Sequence, residues 1–504
     1  VTPSAPRRPR LALAAITAAT VVGGLGAGGL VAAAGSSGIA PPCVACAGFV
    51  TGQLLREPPT LVSAHGHLDV TLTPGTRTVL VAGRGVSSQT YSSRFTAPTL
   101  VVRPGDRLNV LLRNRLPVGY LPYGQFPPAY TQPKGGLTNL HVHGLHVSPK
   151  APQDDVFLNI PPGHSYQYRY DLPANHPSGV FWYHPHHHHY VDMQTFGGQS
   201  GAIVVRGGLD DLPGIGNLRD RMMVFQGTEV RGHATTSSQY EVPAKRLILI
   251  NGQLQPRIDI RPGESQRWRI VNATTERFLR MAPVGGEYWI LARDGVTLAH
   301  PSRTRMLFLA PGQRLEVLVR AQQQPGRFQL IQTYFDQRPT PFGKQPEVQV
   351  ATVVVAGTPM APQAVPTELG PVEDLRGADI AARRRVVFSQ SPPKFFINGK
   401  RFAHDGNVAP MFRPRLNTVE EWDLVNKSPE WHNFHIHINP YQVVAINGKP
   451  LRGQPYWADS LAIPPGSRIT IRQRFADFTG RFVMHCHVLV HEDLGMMATV
   501  EVIP

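Results

Sequence analysis

Charge is scarce in this sequence, and so are cysteine and long helical runs. Asp, Glu, Lys and Arg together make up 17% of the 504 residues. After the first few dozen residues, no stretch keeps apolar side chains at helical spacing over roughly three turns. These absences argue against a helical bundle. With 48 Gly and 48 Pro to make turns, they argue for an all-β chain. No Lys/Arg run and no basic motif interleaved with aromatics occurs in the body, which leaves no basis for nucleic-acid binding. The net charge of +16 still suits anionic substrates or an anionic membrane surface. There are 3 cysteines. Cys43 and Cys46 form a C-x-x-C with no third or fourth metal ligand beside them. They read as a small-loop disulfide or as two thiols in a linker, with a redox or metal-relay role as the alternative. Cys486 stands alone between His485 and His487, and a lone cysteine with histidines nearby is a metal or catalytic candidate.

Residues 1–34 are set apart from the rest. Arg7, Arg8 and Arg10 precede an apolar run from Leu11 to Ala34 that ends in small residues, the pattern of a secretory signal. The run exceeds the roughly 7–15 apolar residues of a signal core and is long enough to span a membrane if uncleaved. Signal peptide and membrane anchor both put the body outside the cytoplasm, as a periplasmic, cell-surface or secreted protein; a buried helix is the third alternative. The paired arginines allow a twin-arginine route. Residues 35–49 are a linker that carries the C-x-x-C.

The body reads as short strands broken by Gly and Pro, as in "RMLFLAPGQRLEVLVRA" and "LAIPPGSRITIRQRF". One unit recurs. "GDRLNVLLRN" ends at Asn114, "GESQRWRIVN" at Asn272 and "NTVEEWDLVN" at Asn426. Copies this far apart are repeated domains. We expect three β-sandwiches or barrels, over 50–208, 215–358 and 372–504, joined at two Pro- and Gly-rich segments.

Histidine is the feature in excess, with 21. Five fall in "YHPHHHHY": His184, His186, His187, His188 and His189. By itself such a tract is a weak signal for metal binding. His-x-His, however, recurs in "LHVHG" (His141, His143), "YHPHH" (His184, His186), "HNFHIH" (His432, His435, His437) and "HCHVLVHEDLGMM" (His485, Cys486, His487, His491, Met496). In a strand, residues i and i+2 share a face, so each pair presents two imidazoles to one side. Two pairs come from the first domain and two from the third, enough for a cluster of eight. Cys486 must then point away from His485 and His487, toward His432, His491 and Met496. Two His, a Cys thiolate and a weak axial Met make a blue-copper site.

With these four motifs in this order, the chain resembles the multicopper oxidases, the family of laccases, bilirubin oxidase and bacterial copper-efflux oxidases. The resemblance covers the whole body and implies three cupredoxin-like Greek-key domains. It also implies about four coppers, one of type 1, one of type 2 and two of type 3. Carried over, His432, Cys486, His491 and Met496 bind the type 1 copper, which takes electrons from substrate. His141 and His435 bind the type 2 copper. His143, His184 and His487 hold one type 3 ion, and His186, His437 and His485 the other. The trinuclear cluster reduces dioxygen to water. Two departures stand out. Val142 replaces a Trp common in relatives, at a position facing away from the cluster. His187, His188 and His189 continue the second pair; we expect a solvent-exposed loop, with a supporting or copper-entry role, chiefly for His188, as the alternative.

Oxygen reduction needs protons. Asp154, with Asp155 the weaker choice, sits where relatives keep an acid near the type 2 copper. Glu492 sits where they keep a proton relay. Each also admits a plain role in a turn or on a surface. The expected partners are dioxygen and a small reducing substrate, for a monomer with a possible membrane association through the leader. Phenols and aromatic amines are the default substrates. With 10 Met and no Met cluster, the alternative of a copper-tolerance protein that oxidises or carries Cu(I) is weaker, since soft thioethers suit Cu(I). A ligand-poor structural relative needs missing ligands, and none of the expected set is missing. A copper nitrite reductase usually has two domains per chain and lacks a complete trinuclear set.

Overall fold

The structure, a computed structural model, describes residues 44–118, 136–235, 246–337, 343–402 and 409–504. The leader and Cys43 lie outside the described residues. Cys46 is disulfide-bonded.

Three β-sandwiches follow one another. In the first, a five-stranded sheet runs in the order Thr60–Val62, Thr99–Val102, Gly201–Val205, Gly179–His184, His141–His143. It faces a three-stranded sheet of His67–Leu72, Arg107–Arg113 and Ser165–Asp171. The second pairs a seven-stranded with a five-stranded sheet, and the third a seven-stranded sheet with a four-stranded one. Alternation builds the cores. Arg107–Arg113 buries every second residue, with Leu108, Val110 and Leu112 in the first core. The two α-helices among the described residues are one or two turns long, Val191–Phe196 and Leu489–Asp493.

The repeated Asn does one job three times. At the end of its strand it ties together neighbouring segments of its own domain. Asn114 Nδ2 donates to the carbonyls of Gly136 and Ile160, Asn272 Nδ2 to those of Arg277 and Leu309, and Asn426 Nδ2 to those of Glu430 and Ile463. Each Oδ1 accepts the N–H two residues on. Each Asn backbone also clasps a Pro-Gly turn, through Gly163 and His164, Gly312 and Gln313, and Gly466 and Ser467. Burying an amide this way is favourable only when its polar atoms are satisfied.

One four-stranded sheet ignores the domain boundary. Gly75–Val81 and Arg84–Thr90 come from the first domain, Val230–Arg231 and Ala234–Thr235 from the second. Short strands with no local period to announce them escape a reading of the sequence.

Candidate metal centre

Strand pairing brings the His-x-His motifs together. His141–His143 lies antiparallel to Gly179–His184, with His141 opposite His184. In the third domain His432–Ile436 pairs with Gly480–Cys486, with His435 opposite His485 and Phe434 opposite Cys486. Val142, between the first two histidines, points into the first core. Cys486 points into the third, among Phe434, Met484 and Met496. The two-residue period therefore sends the imidazoles one way and the apolar or thiol side chains the other.

The eight imidazoles of His141, His143, His184, His186, His435, His437, His485 and His487 are buried at the joint between the first and third domains. The rings of His141 and His437 stack at 3.7 Å, as do those of His143 and His435. His186 Nε2, His437 Nε2 and His485 Nε2 converge at 3.1, 3.2 and 3.3 Å from one another. Metal–imidazole bonds of about 2.0–2.1 Å, the zinc value, around one tetrahedral ion put nitrogens roughly this far apart. The nitrogens of His141, His143 and His184 form a second close group, and those of His141, His435 and His437 a third. His487 approaches by its ring, 4.8 Å from His143 and 5.4 Å from His184.

Each outer partner leaves one ring nitrogen facing the centre. His141 donates from Nδ1 to Asp154 at 2.9 Å, and its Nε2 has no hydrogen-bond partner. His184 Nδ1 donates to the Pro185 carbonyl, leaving Nε2. His435 Nδ1 donates to the Asp459 carbonyl at 2.8 Å, leaving Nε2. His143 Nε2 meets Asp459 Oδ1 and Ser460 Oγ, both at 3.1 Å, leaving Nδ1. Buried, unpaired nitrogens cost about 1–3 kcal/mol each, and four converging on one space are the signature of a ligand set. Burial first, and mutual repulsion second, push His141, His143, His184 and His437 well below the usual histidine range. They are neutral, with lone pairs to give.

The second group is smaller. His432 Nδ1 and His491 Nδ1 are 3.2 Å apart, and each lies 3.6 Å from Cys486 Sγ. Burial pushes the Cys486 thiol up to about 12, so only a bound cation would take its proton at neutral pH. Met496 belongs to the same core as Cys486, whereas Met497 belongs to the opposite one with Val156, Phe402 and Val483. A thiolate with imidazoles and a thioether suits copper.

The acids divide by surroundings. Asp154 is buried; it accepts from His141 Nδ1 and from the Val142 N–H, and burial drives its carboxyl well above the usual range. Asp155 is partly exposed and accepts the N–H of Phe157, a turn contact. Glu492 is buried between the domains. Its Oε2 lies 2.9 Å from His485 Nδ1, off the line of a hydrogen bond, and its Oε1 lies 3.4 Å from His186 Nε2. Burial raises it to about 7.

The expectation of a solvent-exposed loop at His187–His189 is wrong. His187 and His188 are 1% and 5% exposed, and His189 is partly buried. His187 Nε2 donates to Asn159 Oδ1 at 2.7 Å, and His189 Nδ1 donates to the Asp493 carbonyl at 3.0 Å. The tract runs between two domains, a surface a single-domain reading counts as outside. Asp493 reaches back to accept the N–H groups of Val191 and Asp192 at the start of the short helix.

Three residues of the site have no histidine or cysteine motif to mark them as part of it. Arg314 is fully buried and grips Asp459 with two parallel hydrogen bonds of 2.7 and 2.6 Å. Asp294 accepts the backbone N–H of Arg314 at 2.9 Å and that of Asp459 at 3.3 Å. Burial alone would raise Asp459, but Arg314 outweighs it and keeps that carboxylate ionised; Asp294, buried and facing the same charge, is pushed up.

The description "Multicopper oxidase" belongs to all three family models that match this chain, over residues 135–209, 219–354 and 379–504. The chain is 24% identical over 428 residues to multicopper oxidase mco of Staphylococcus haemolyticus, spanning 82% of this chain and 83% of that protein. To bilirubin oxidase of Albifimbria verrucaria it is 26% identical over 385 residues, 71% of this chain and 66% of the other. The structure of a Campylobacter jejuni multicopper oxidase, described as a metallo-oxidase, matches with a TM-score of 0.74 at 24% identity, covering 90% of this chain and 96% of that one. Matches in chain order, a three-sandwich fold and two convergent donor sets agree: the chain belongs to the multicopper oxidase family.

Proposed function

We propose that this laccase-like copper oxidoreductase takes electrons singly from small phenols or aromatic amines beside His432, Cys486, His491 and Met496, and passes them to dioxygen among the eight histidines. The observation that carries the reading is the tripeptide His485-Cys486-His487. Its thiol faces one donor set and its two imidazoles the other. Copper, when bound, supplies the one-electron steps that four times over turn dioxygen to water. The chain's own part is to hold neutral imidazoles in place, to exclude water and to keep protons at Glu492 and Asp154. We assign His141 and His435 to the type 2 ion, His143, His184 and His487 to one type 3 ion, and His186, His437 and His485 to the other, with domain limits at 50–208, 215–358 and 372–504.

We further propose an exported monomer held outside the cytoplasm, with any membrane association confined to the leader. Among the described residues no helix is long and apolar enough to cross a membrane. Reconstituted protein should bind about four coppers per chain. Oxygen uptake should follow a phenol more readily than Cu(I) or bilirubin, measured side by side. A stable ratio near one copper, with no uptake, would favour the copper-carrier reading.

Met496 tests the blue site. An axial thioether donates weakly and lowers the potential, which that ligand tunes. Leu keeps the volume and apolar character, a swap usually tolerated. Met496→Leu should therefore raise the potential of the blue band in a redox titration, while Met497→Leu, on the opposite face, barely moves it. The reverse result would mean the axial ligand is another residue.

A further inference from the structure

The second domain supplies none of the candidate ligands, yet one of its turns abuts them. All three domains clasp a Pro-Gly turn against the repeated Asn, with Gly163, Gly312 and Gly466 at φ of +82°, +82° and +69°. A side chain at Gly163 or Gly466 would meet nothing within 4 Å. One at Gly312 would sit 2.9 Å from His143 Cε1 and 3.1 Å from His487 Nε2. The neighbours of Gly312 also reach out of their own domain. The Pro311 carbonyl accepts from Asn433 Nδ2, between His432 and His435. Gln313 Nε2 donates to the Ser460 carbonyl at 2.8 Å. Arg314 donates from Nε to the Val180 carbonyl of the first domain at 3.1 Å, and grips Asp459 of the third.

We infer that the turn Pro311–Arg314 is a keystone through which the second domain sets the trinuclear ligands, with Arg314 and Gly312 as its positioning residues. Arg314 fixes Asp459. That residue takes His143 at its carboxylate and His435 at its carbonyl, so one guanidinium orients one histidine from each ligand-bearing domain. The nitrogens left over, His143 Nδ1 and His435 Nε2, are those without hydrogen-bond partners, which is how outer partners select the ligating nitrogen. Gly144, at φ +87°, leaves the space that Arg314 and Asp459 fill. A lysine at 314 would keep the charge and lose the fork. An alanine at 312 would keep every hydrogen bond and press on His143 and His487.

The inference rests on the trinuclear reading. Its test is copper per chain in reconstituted wild type, Arg314→Lys, Gly312→Ala and Gly466→Ala, with the visible band recording the blue site and thermal melting of the metal-free proteins recording the fold. Wild type and Gly466→Ala should hold about four coppers, whereas Arg314→Lys and Gly312→Ala should keep the visible band with only about one or two. Gly466→Ala carries the same backbone strain without the contact. Should Arg314→Lys fail to fold, Gly312→Ala read against Gly466→Ala decides. Four coppers in both Arg314→Lys and Gly312→Ala, or an equal loss in Gly466→Ala, overturns the keystone. A single copper in wild type overturns the trinuclear reading itself, and the keystone with it.

Discussion

Cys486→Ser protein should be colourless and should take up no oxygen above background, while keeping the circular dichroism of the parent. The intense visible band of a blue site comes from the bond between thiolate sulfur and the cupric ion, and a serine hydroxyl stays protonated. The fold should survive because the change is one atom in a core of some thirty side chains. A buried hydroxyl there costs at most about 1–3 kcal/mol even if left unpaired, less than the usual 5–15 kcal/mol stability of a domain, and the Asn433 N–H that now points at Cys486 Sγ is available to it. Metal analysis should then find about three coppers, since the histidines flanking residue 486 face away from the lost site. A Cys486→Ser protein that is blue and active would sink the assignment of Cys486.

Glu492→Gln should slow turnover by about 10²- to 10⁴-fold, the range in which a positioned proton donor contributes. Each dioxygen reduced to two waters consumes four protons along with four electrons. Glu492 is buried against His485 and His186, one from each ligand-bearing domain. Burial raises its carboxyl to about 7, so it is protonated below about pH 7 and ionised above. Wild-type turnover should therefore fall as pH rises through that region, and the Gln variant, which has no proton to give, should be flat there. Reduction of the blue band by substrate without oxygen should be unchanged. Parent-like turnover in Glu492→Gln would assign the relay elsewhere, with Asp154 next in line.

The donor sets were legible because their chemistry is local. His-x-His within a strand and H-C-H-x3-H-x4-M near the end of the sequence place candidate donors by the two-residue period, and that period alone decides which face each side chain takes. The repeated Asn was visible too, though its triple hydrogen-bonding role was not. What stayed hidden is tertiary. Arg314, Asp294 and Asp459 meet over sequence separations of up to 165, and although Arg314 follows a Pro-Gly turn, no local pattern says that the three meet. His187 and His188 look like surplus polar residues on a turn until a second domain covers them. Buried polar groups of this kind are specified by partners rather than by pattern.

The joint between the first and third domains also sets a timetable. His186 and His485, 3.1 Å apart when folded, are separated by 299 positions in the chain. At roughly 5–20 residues per second of synthesis, the later histidine follows the earlier by about 15–60 s. Throughout that interval the two His-x-His pairs of the first domain have no partner histidines opposite them. Imidazole pairs bind zinc and nickel as readily as their geometry allows, and intrinsic affinity alone does not choose the right ion. An ion offered before the last strand docks would meet only the first domain's half of the donor set, whereas one offered afterwards would meet both halves, so the geometry that discriminates between ions exists only once the third domain is in place.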